Sequence, residues 1–327
     1  MLVNRLKLLK NYLKKQAYAS HHPVKVGIEI TNRCNLNCIM CSRNIMKRPE
    51  GDISLKLFKK IVDQTYKKAD IYALYGLGEP LLNPHLFKMI DYCHKKGVPV
   101  TLSTNAVLLN KNMAEKLIKH PPDHLLFALD AHQEKTYQKI RGGKNLKQIQ
   151  KNIRYYLKRR QKKNPPTFAT LLFVKQDLNQ KEVKTFQKYW QNKGISNIHI
   201  KPVAEKINLK VGSSQPRQCL SPWRHFIVTW QGEVHTCCLD TNGVFKLGNI
   251  KNQSFKSIWN GPAWQSLRLS FKTDKLKPLC RSCTLRQPSL LGTIILSFFP
   301  ELTIKKTIPY IDQIREACPG LISKITR

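Results

Sequence analysis

Val26-Gly27-Ile28-Glu29-Ile30-Thr31-Asn32-Arg33-Cys34-Asn35-Leu36-Asn37-Cys38-Ile39-Met40-Cys41 runs from a short apolar segment straight into three cysteines at C-x3-C-x2-C spacing. The segment 26–30 predicts a buried strand. Cys34, Cys38 and Cys41 then lie at its C-terminal end. Thiolates packed so closely bind a soft metal centre or are reactive. A structural zinc site takes four ligands, usually in paired C-x2-C units. Three cysteines suit a [4Fe-4S] cluster with one iron left open for another ligand.

Outward from this stretch the chain repeats one pattern. Apolar runs at 26–30, 71–75, 98–103, 125–129, 169–174 and 198–203 alternate with amphipathic helical patterns near 54–67, 84–96, 110–119, 133–160 and 180–193. Strand then helix, repeated about six times, predicts an α/β fold with a parallel sheet and crossover helices. In that layout, binding and catalysis gather at the C-terminal ends of the strands. The residues there are distinctive. Gly76-Leu77-Gly78-Glu79-Pro80 closes the second run and Ser103-Thr104-Asn105 the third. Ala128-Leu129-Asp130 closes the fourth, followed by Thr136-Tyr137-Gln138-Lys139-Ile140-Arg141-Gly142-Gly143.

With these residues in place, the segment 24–205 resembles the radical S-adenosylmethionine (radical SAM) superfamily. The resemblance implies a partial (β/α)6 TIM-like barrel whose first loop carries the cluster on Cys34, Cys38 and Cys41. It implies that SAM binds the open iron through its amino and carboxylate groups. Reductive cleavage then yields methionine and a 5′-deoxyadenosyl radical that abstracts a substrate hydrogen. Gly78, Glu79 and Pro80 match the family's Gly-Gly-Glu-Pro turn, and Ser103, Asn105, Asp130 and Met40 match further cofactor-contacting positions. Leu77, Met40, Ala106 and Ala128 stand where the family usually carries glycine, an aromatic residue, glycine and serine.

A second group of cysteines follows a polar, turn-rich stretch at 208–216. Cys219, Gly232 and Cys237 stand at C-x12-G-x4-C spacing, and Cys280 and Cys283 form C-x2-C. Spacing alone permits tetrahedral zinc or a second [4Fe-4S] cluster. The region resembles the SPASM/twitch extension of radical SAM proteins, through Cys219-Leu220-Ser221-Pro222-Trp223, Gly232 to Cys237, Leu247-Gly248-Asn249-Ile250, Ile258-Trp259-Asn260 and Cys280-Arg281-Ser282-Cys283. That resemblance implies one auxiliary cluster held by Cys219, Cys237, Cys280 and Cys283. Its G-x4-C spacing selects Cys237 over the adjacent Cys238. Cys93 and Cys318 read as small apolar core residues.

The expected organisation is a basic amphipathic N-terminal helix (1–23), the radical SAM core (24–207), a SPASM/twitch iron–sulfur domain (208–288) and a C-terminal tail (289–327). Leu2, Leu6, Leu9 and Leu13 recur at helical spacing among lysines, and residues 1–22 contain no acid. Their leucine stripe is expected to pack on the domain behind it, with a membrane surface as the other reading. No apolar run reaches the ~18 residues of a spanning helix, and lysines interrupt any signal-peptide core. A cytoplasmic, reducing setting is expected. Among 327 residues, 57 Lys and Arg against 20 Asp and Glu give a net charge of +37. Such an excess reads first as solvated lysine-rich faces spread along the chain, and second as favouring an anionic partner, either nucleic acid or a membrane surface.

The expected reaction is oxidation of an alcohol on a carbohydrate-like metabolite; Asp240 is the candidate base, with a turn-forming role in Leu239-Asp240-Thr241-Asn242-Gly243 as its other reading, and Arg141 is a candidate anion clamp, with a surface salt bridge as its other reading. Peptide or protein modification, RNA or nucleotide modification, and a non-catalytic structural zinc protein are the rival readings. The substrate is accordingly a small molecule or a peptide. A reductase with flavodoxin- or ferredoxin-type chemistry is the expected electron donor.

Overall fold

The computed structural model describes residues 2–163, 167–193, 195, 197–202, 219–281 and 283. An N-terminal helix α1 (Leu2–Leu13) precedes β1 (Lys25–Ile28). Then follow α2 (Leu55–Thr65), β2 (Ile71–Ala73), α3 (Leu86–Lys95), β3 (Val100–Thr104), α4 (Lys111–Lys119) and β4 (His124–Ala128). Two helices, α5 (Glu134–Arg141) and α6 (Leu146–Lys163), lead to β5 (Phe168–Lys175), α7 (Val183–Gln191) and β6 (Ile198–Pro202). The later part contributes α8 (Ser221–Arg224), β7 (His225–Val228), β8 (Val234–His235), α9 (Phe255–Trp259), α10 (Pro262–Lys272) and α11 (Pro278–Arg281).

The strands form one sheet in the order β6-β5-β4-β3-β2-β1-β7-β8. The first six lie in sequence order and parallel, as right-handed crossovers require. This is the expected partial (β/α)6 barrel. Its strands are short; β2 has three residues, all buried. Side chains such as Val26, Ile28, Tyr72, Val100, Leu102, Leu125, Phe127, Leu171 and Phe173 make a continuous core. Local chemistry sets the helix ends. Ser54 accepts from the Leu57 N–H at α2, and Asn110 from the Met113 N–H at α4.

Two sequence expectations change here. The helical pattern at 133–160 is not one helix. Gly142 takes a left-handed conformation (φ 67°) and ends α5. Glu134 reaches across the break and accepts from the N–H groups of Asn145 and Leu146, which starts α6. The second concerns α1. Its leucine stripe does not pack inward: Leu2, Leu6 and Leu13 are exposed, and the buried face is Arg5, Leu8, Asn11 and Tyr12. Arg5 pairs with Asp70, and Tyr12 meets Trp223 edge-on at 5.6 Å. A polar face thus found partners that a hydrophobicity pattern does not register.

β7 adds to the outer edge of β1 in parallel, Lys25 opposite His225 and Ile28 opposite Val228. β8 turns back antiparallel on β7. Gly232 (φ 86°) closes this hairpin; a Cβ there would stand 2.8 Å from Asn249 Oδ1. Behind it, Phe226 stacks on Trp264 at 5.5 Å, and Arg268 lies over the Trp259 ring at 4.4 Å. Arg268 is fully buried, donates to the carbonyls of Pro222 and Ala17, and has its pKa pulled down to about 9 by burial. The 208–216 stretch, the tail 289–327 and Cys318 lie outside the described residues.

Candidate metal centre

The loop after β1 carries Cys34, Cys38 and Cys41, and it is fastened at several points. The Ile39 N–H donates to the Ile140 carbonyl at 2.9 Å, which ties the loop to the end of α5. The Cys41 N–H donates to the Cys38 carbonyl, and Asn44 Nδ2 donates to the same oxygen. Cys38 is buried; Cys34 and Cys41 are half-buried. Burial pushes the thiols of Cys34 and Cys38 above their ordinary value, with the Arg141 charge opposing this at Cys38.

The C-terminal ends of β2, β3 and β4 close around this loop. The Glu79 N–H donates to the Arg33 carbonyl at 2.8 Å. A Cβ on Gly78 would stand 2.4 Å from the Thr31 carbonyl oxygen, so only glycine lets the turn approach so closely. The buried Glu79 carboxylate points inward. It accepts from the Leu81 N–H, the Thr104 hydroxyl and the Asn105 N–H. Burial raises its pKa, against those bonds. What Gly78, Glu79 and Pro80 leave for a ligand is therefore backbone rather than the carboxylate. Asn105 Nδ2 donates to Asn35 Oδ1 at 2.8 Å and approaches Cys34 Sγ at 4.0 Å. Ala106 adopts φ 61°, the left-handed conformation that glycine accepts without strain. Ser103 and Met40 are half-buried.

Arg141 stands directly over the loop. Its Nη1 donates to Cys38 Sγ at 3.6 Å, and its Nη2 pairs with Asp130 Oδ2 at 2.6 Å. Burial draws the guanidinium pKa down, but Asp130 and Cys38 more than restore it, so the cation persists. Asp130 is fixed in turn. It has a left-handed backbone (φ 61°), its Oδ1 accepts from the Val174 N–H, and Asn179 donates to its carbonyl. Sequence reasoning picked out Asp130 and Arg141 but missed Asn179, which no local motif marks.

The second group gathers where β8 ends. Leu239 N–H donates to Cys237 Sγ at 3.4 Å. Cys237 and Cys238 share a hydrogen bond that drives them apart: Cys237 rises, while Cys238 falls to about 6, helped by Lys201 and Lys25. Lys25 is on β1 and Lys201 on β6. Cys219 is raised by burial and by the charges of Cys283 and Cys238. Cys280 is pushed up to about 12 by burial and by Cys219, Cys283 and Asp240. Cys219, Cys237, Cys280 and Cys283, with Cys238 beside them, are thus one electrostatic group. Asp240 is buried. Its carboxylate accepts from the Val244 N–H at 2.7 Å and the Phe245 N–H at 3.4 Å, which makes it the pin of a turn.

A polar brace joins the two cysteine loops, and sequence reasoning missed it. Arg48 makes two 2.9 Å bonds to the buried Glu29 and donates through Nε to the Thr241 carbonyl. Asn242 accepts from the Lys47 N–H and donates to the Ile45 carbonyl. The available signal was Glu29, a lone carboxylate inside an apolar strand run.

The donor sets suit iron–sulfur clusters. Soft thiols stand in one loop beneath a buried cation at the first site, and four or five thiols sense one another's charge at the second. No three His, Cys, Asp or Glu side chains among the described residues stand ready to hold a single metal ion.

Comparisons with known proteins identify both regions. The model of the Radical SAM superfamily matches residues 28–188, and that of the SPASM iron-sulfur cluster-binding domain matches residues 219–284. The chain is 25% identical to the tungsten-containing aldehyde ferredoxin oxidoreductase cofactor-modifying protein of Pyrococcus furiosus, over 79% of this chain and 86% of that one. It is 24% identical to the antilisterial bacteriocin subtilosin biosynthesis protein AlbA of Bacillus subtilis, over 79% of this chain and 65% of that one. Among solved structures, BtrN in complex with AdoMet and 2-DOIA superposes with a TM-score of 0.55 at 18% identity, covering 80% of this chain and 93% of that one. Streptococcus suis SuiB bound to precursor peptide SuiA gives 0.61 at 16% identity, covering 81% and 70%. Both likenesses concern the fold.

Proposed function

The chain belongs to the radical SAM superfamily and carries a SPASM iron–sulfur domain behind its barrel, and on that basis we propose that it modifies a peptide by abstracting a hydrogen atom from it. Cys34, Cys38 and Cys41 would hold the SAM-binding cluster, and Cys219, Cys237, Cys280 and Cys283 the auxiliary one. When bound, the first cluster supplies the electron for reductive cleavage of SAM. This chain's own residues do the rest. Arg141 balances the thiolate charge at Cys38. Gly78 lets the turn after β2 seat against the cysteine loop, and Glu79 fixes the end of β3 through the Thr104 hydroxyl and the Asn105 N–H. Met40, half-buried beside Cys41, offers a polarisable cover for an adenine ring. Thiolate ligands and clusters of this kind call for a reducing compartment, which supports a cytoplasmic setting.

The observation that carries the peptide reading is the similarity to a bacteriocin biosynthesis protein over 79% of this chain; the state of Asp240 removes the candidate base for alcohol oxidation. Net oxidation of an alcohol needs a base for the hydroxyl proton. Asp240 was the expected base, and its carboxylate is buried and held by two backbone N–H groups.

The test starts with anaerobic reconstitution, addition of dithionite and SAM, and detection of 5′-deoxyadenosine by mass spectrometry. The variant with Cys34, Cys38 and Cys41 all changed to Ala should form none. Small peptides encoded beside the protein are then added, and a change in peptide mass is the expected result. Deoxyadenosine formation with unchanged peptides, together with a dehydrogenated carbohydrate, would establish alcohol oxidation instead. Bound zinc without iron or sulfide would overturn both.

A further inference from the structure

The helix α1 is fixed to the protein along one side and bare along the other. On the inner side Arg5 pairs with Asp70, Leu8 is fully buried, Tyr12 packs on Trp223, and Asn11 donates to Ser20 Oγ. Asn4 and His22 exchange two hydrogen bonds. This is not a fraying terminus. On the outer side Leu2, Val3, Leu6 and Leu13 are 65, 64, 51 and 51% exposed. At 100° per residue, Leu2, Leu6 and Leu13 fall within one narrow ridge. The exposed Lys7, Lys10 and Lys14 fall together on the flank next to it.

We propose that this outer face of α1 seats the protein on an acidic phospholipid surface. An exposed apolar ridge beside a row of ammonium groups matches a bilayer interface, where the ridge enters the acyl boundary and the lysines meet anionic head groups. Charge complementarity selects this occupant. Residues 1–22 contain no acid, and the whole chain carries +37, so a second copy would bring like charge to like charge. The chain's own apolar segment at 290–299 belongs to a stretch, 284–327, with six Lys and Arg against three acids, which offers no counter-charge either.

The experiment is co-sedimentation of the reconstituted full chain with vesicles at physiological salt. Vesicles of phosphatidylglycerol and phosphatidylcholine should retain the protein, and pure phosphatidylcholine should not. Leu2→Ser, Leu6→Ser and Leu13→Ser combined should lower binding at least about tenfold, with every charge in place and an unchanged circular dichroism melt. Lys7→Gln, Lys10→Gln and Lys14→Gln combined should weaken it and flatten its salt dependence. Equal binding by the leucine variant would show that net charge alone draws the protein down, and would overturn the proposal. Wild-type protein left in the supernatant, or a leucine-dependent dimer formed without vesicles, would overturn it as well.

Discussion

Gly78 has no space for even a methyl group: its Cβ would stand 2.4 Å from the Thr31 carbonyl oxygen and 2.7 Å from that of Arg33. Both are backbone atoms and cannot swing aside. Gly78→Ala should therefore force the turn off the cysteine loop, and iron analysis after anaerobic reconstitution should show loss of the first cluster with the second retained. Arg141→Met removes the cation at Cys38 and leaves Asp130 buried and unpaired. It should cost about 3–5 kcal/mol in denaturant unfolding; Asp130→Asn in the same chain should recover part of that. A pH effect belongs here too. The hydrogen bond from His94 to Asp123 raises the His94 pKa above 6.5, against burial. Its contribution is complete below the unfolded value near 6.5 and is lost as pH rises through the higher folded value. The melting temperature should fall over that window, and His94→Gln should flatten the fall. At this scale the sequence was informative where a motif fixes identity, as with Cys34, Cys38, Cys41 and Gly78. It did not say where the Glu79 and Asp240 carboxylates turn; both accept from nearby backbone N–H groups.

Among the elements, the brace between the two cysteine loops is the least legible part of the fold. Arg48 lies seven residues past Cys41, and Thr241 four past Cys237; nothing local connects them. Only the sheet order, with β7 beside β1, brings them together. Because Arg48 and Glu29 are 8 and 5% exposed, they form a desolvated pair. Arg48→Met should destabilise the protein by about 3–5 kcal/mol, since it strands Glu29. Glu29→Gln combined with Arg48→Met should be milder than the single variant, and a double-mutant cycle on chemical unfolding measures the coupling. The break between α5 and α6 was hidden for a different reason. Amphipathic periodicity continued through Gly142 and Gly143, while the αL conformation of Gly142 and the reach of Glu134 decided the geometry. For α1, the hydrophobic pattern named the wrong face because Arg5 and Asn11 found buried partners.

On the scale of the whole molecule, the alternation of apolar runs and helical patterns was enough for the six-stranded parallel core, since each crossover obeys one handedness. The position of β7 was not readable, because a parallel partner for β1 leaves no mark on the intervening sequence. It makes the second region part of the first region's sheet rather than an appendage. A chain shortened to residues 1–207 should be insoluble or bind more of a dye that reports exposed apolar surface than the full chain binds; soluble, cooperatively unfolding protein of that length would contradict this. The same pairing also carries a consequence in time. A ribosome finishes β1 early and then translates about 200 residues before β7 appears, roughly 10–40 s at ~5–20 residues per second. Through that interval the β7 side of β1 is an open strand edge, exposed to pairing with another copy until its own partner is made.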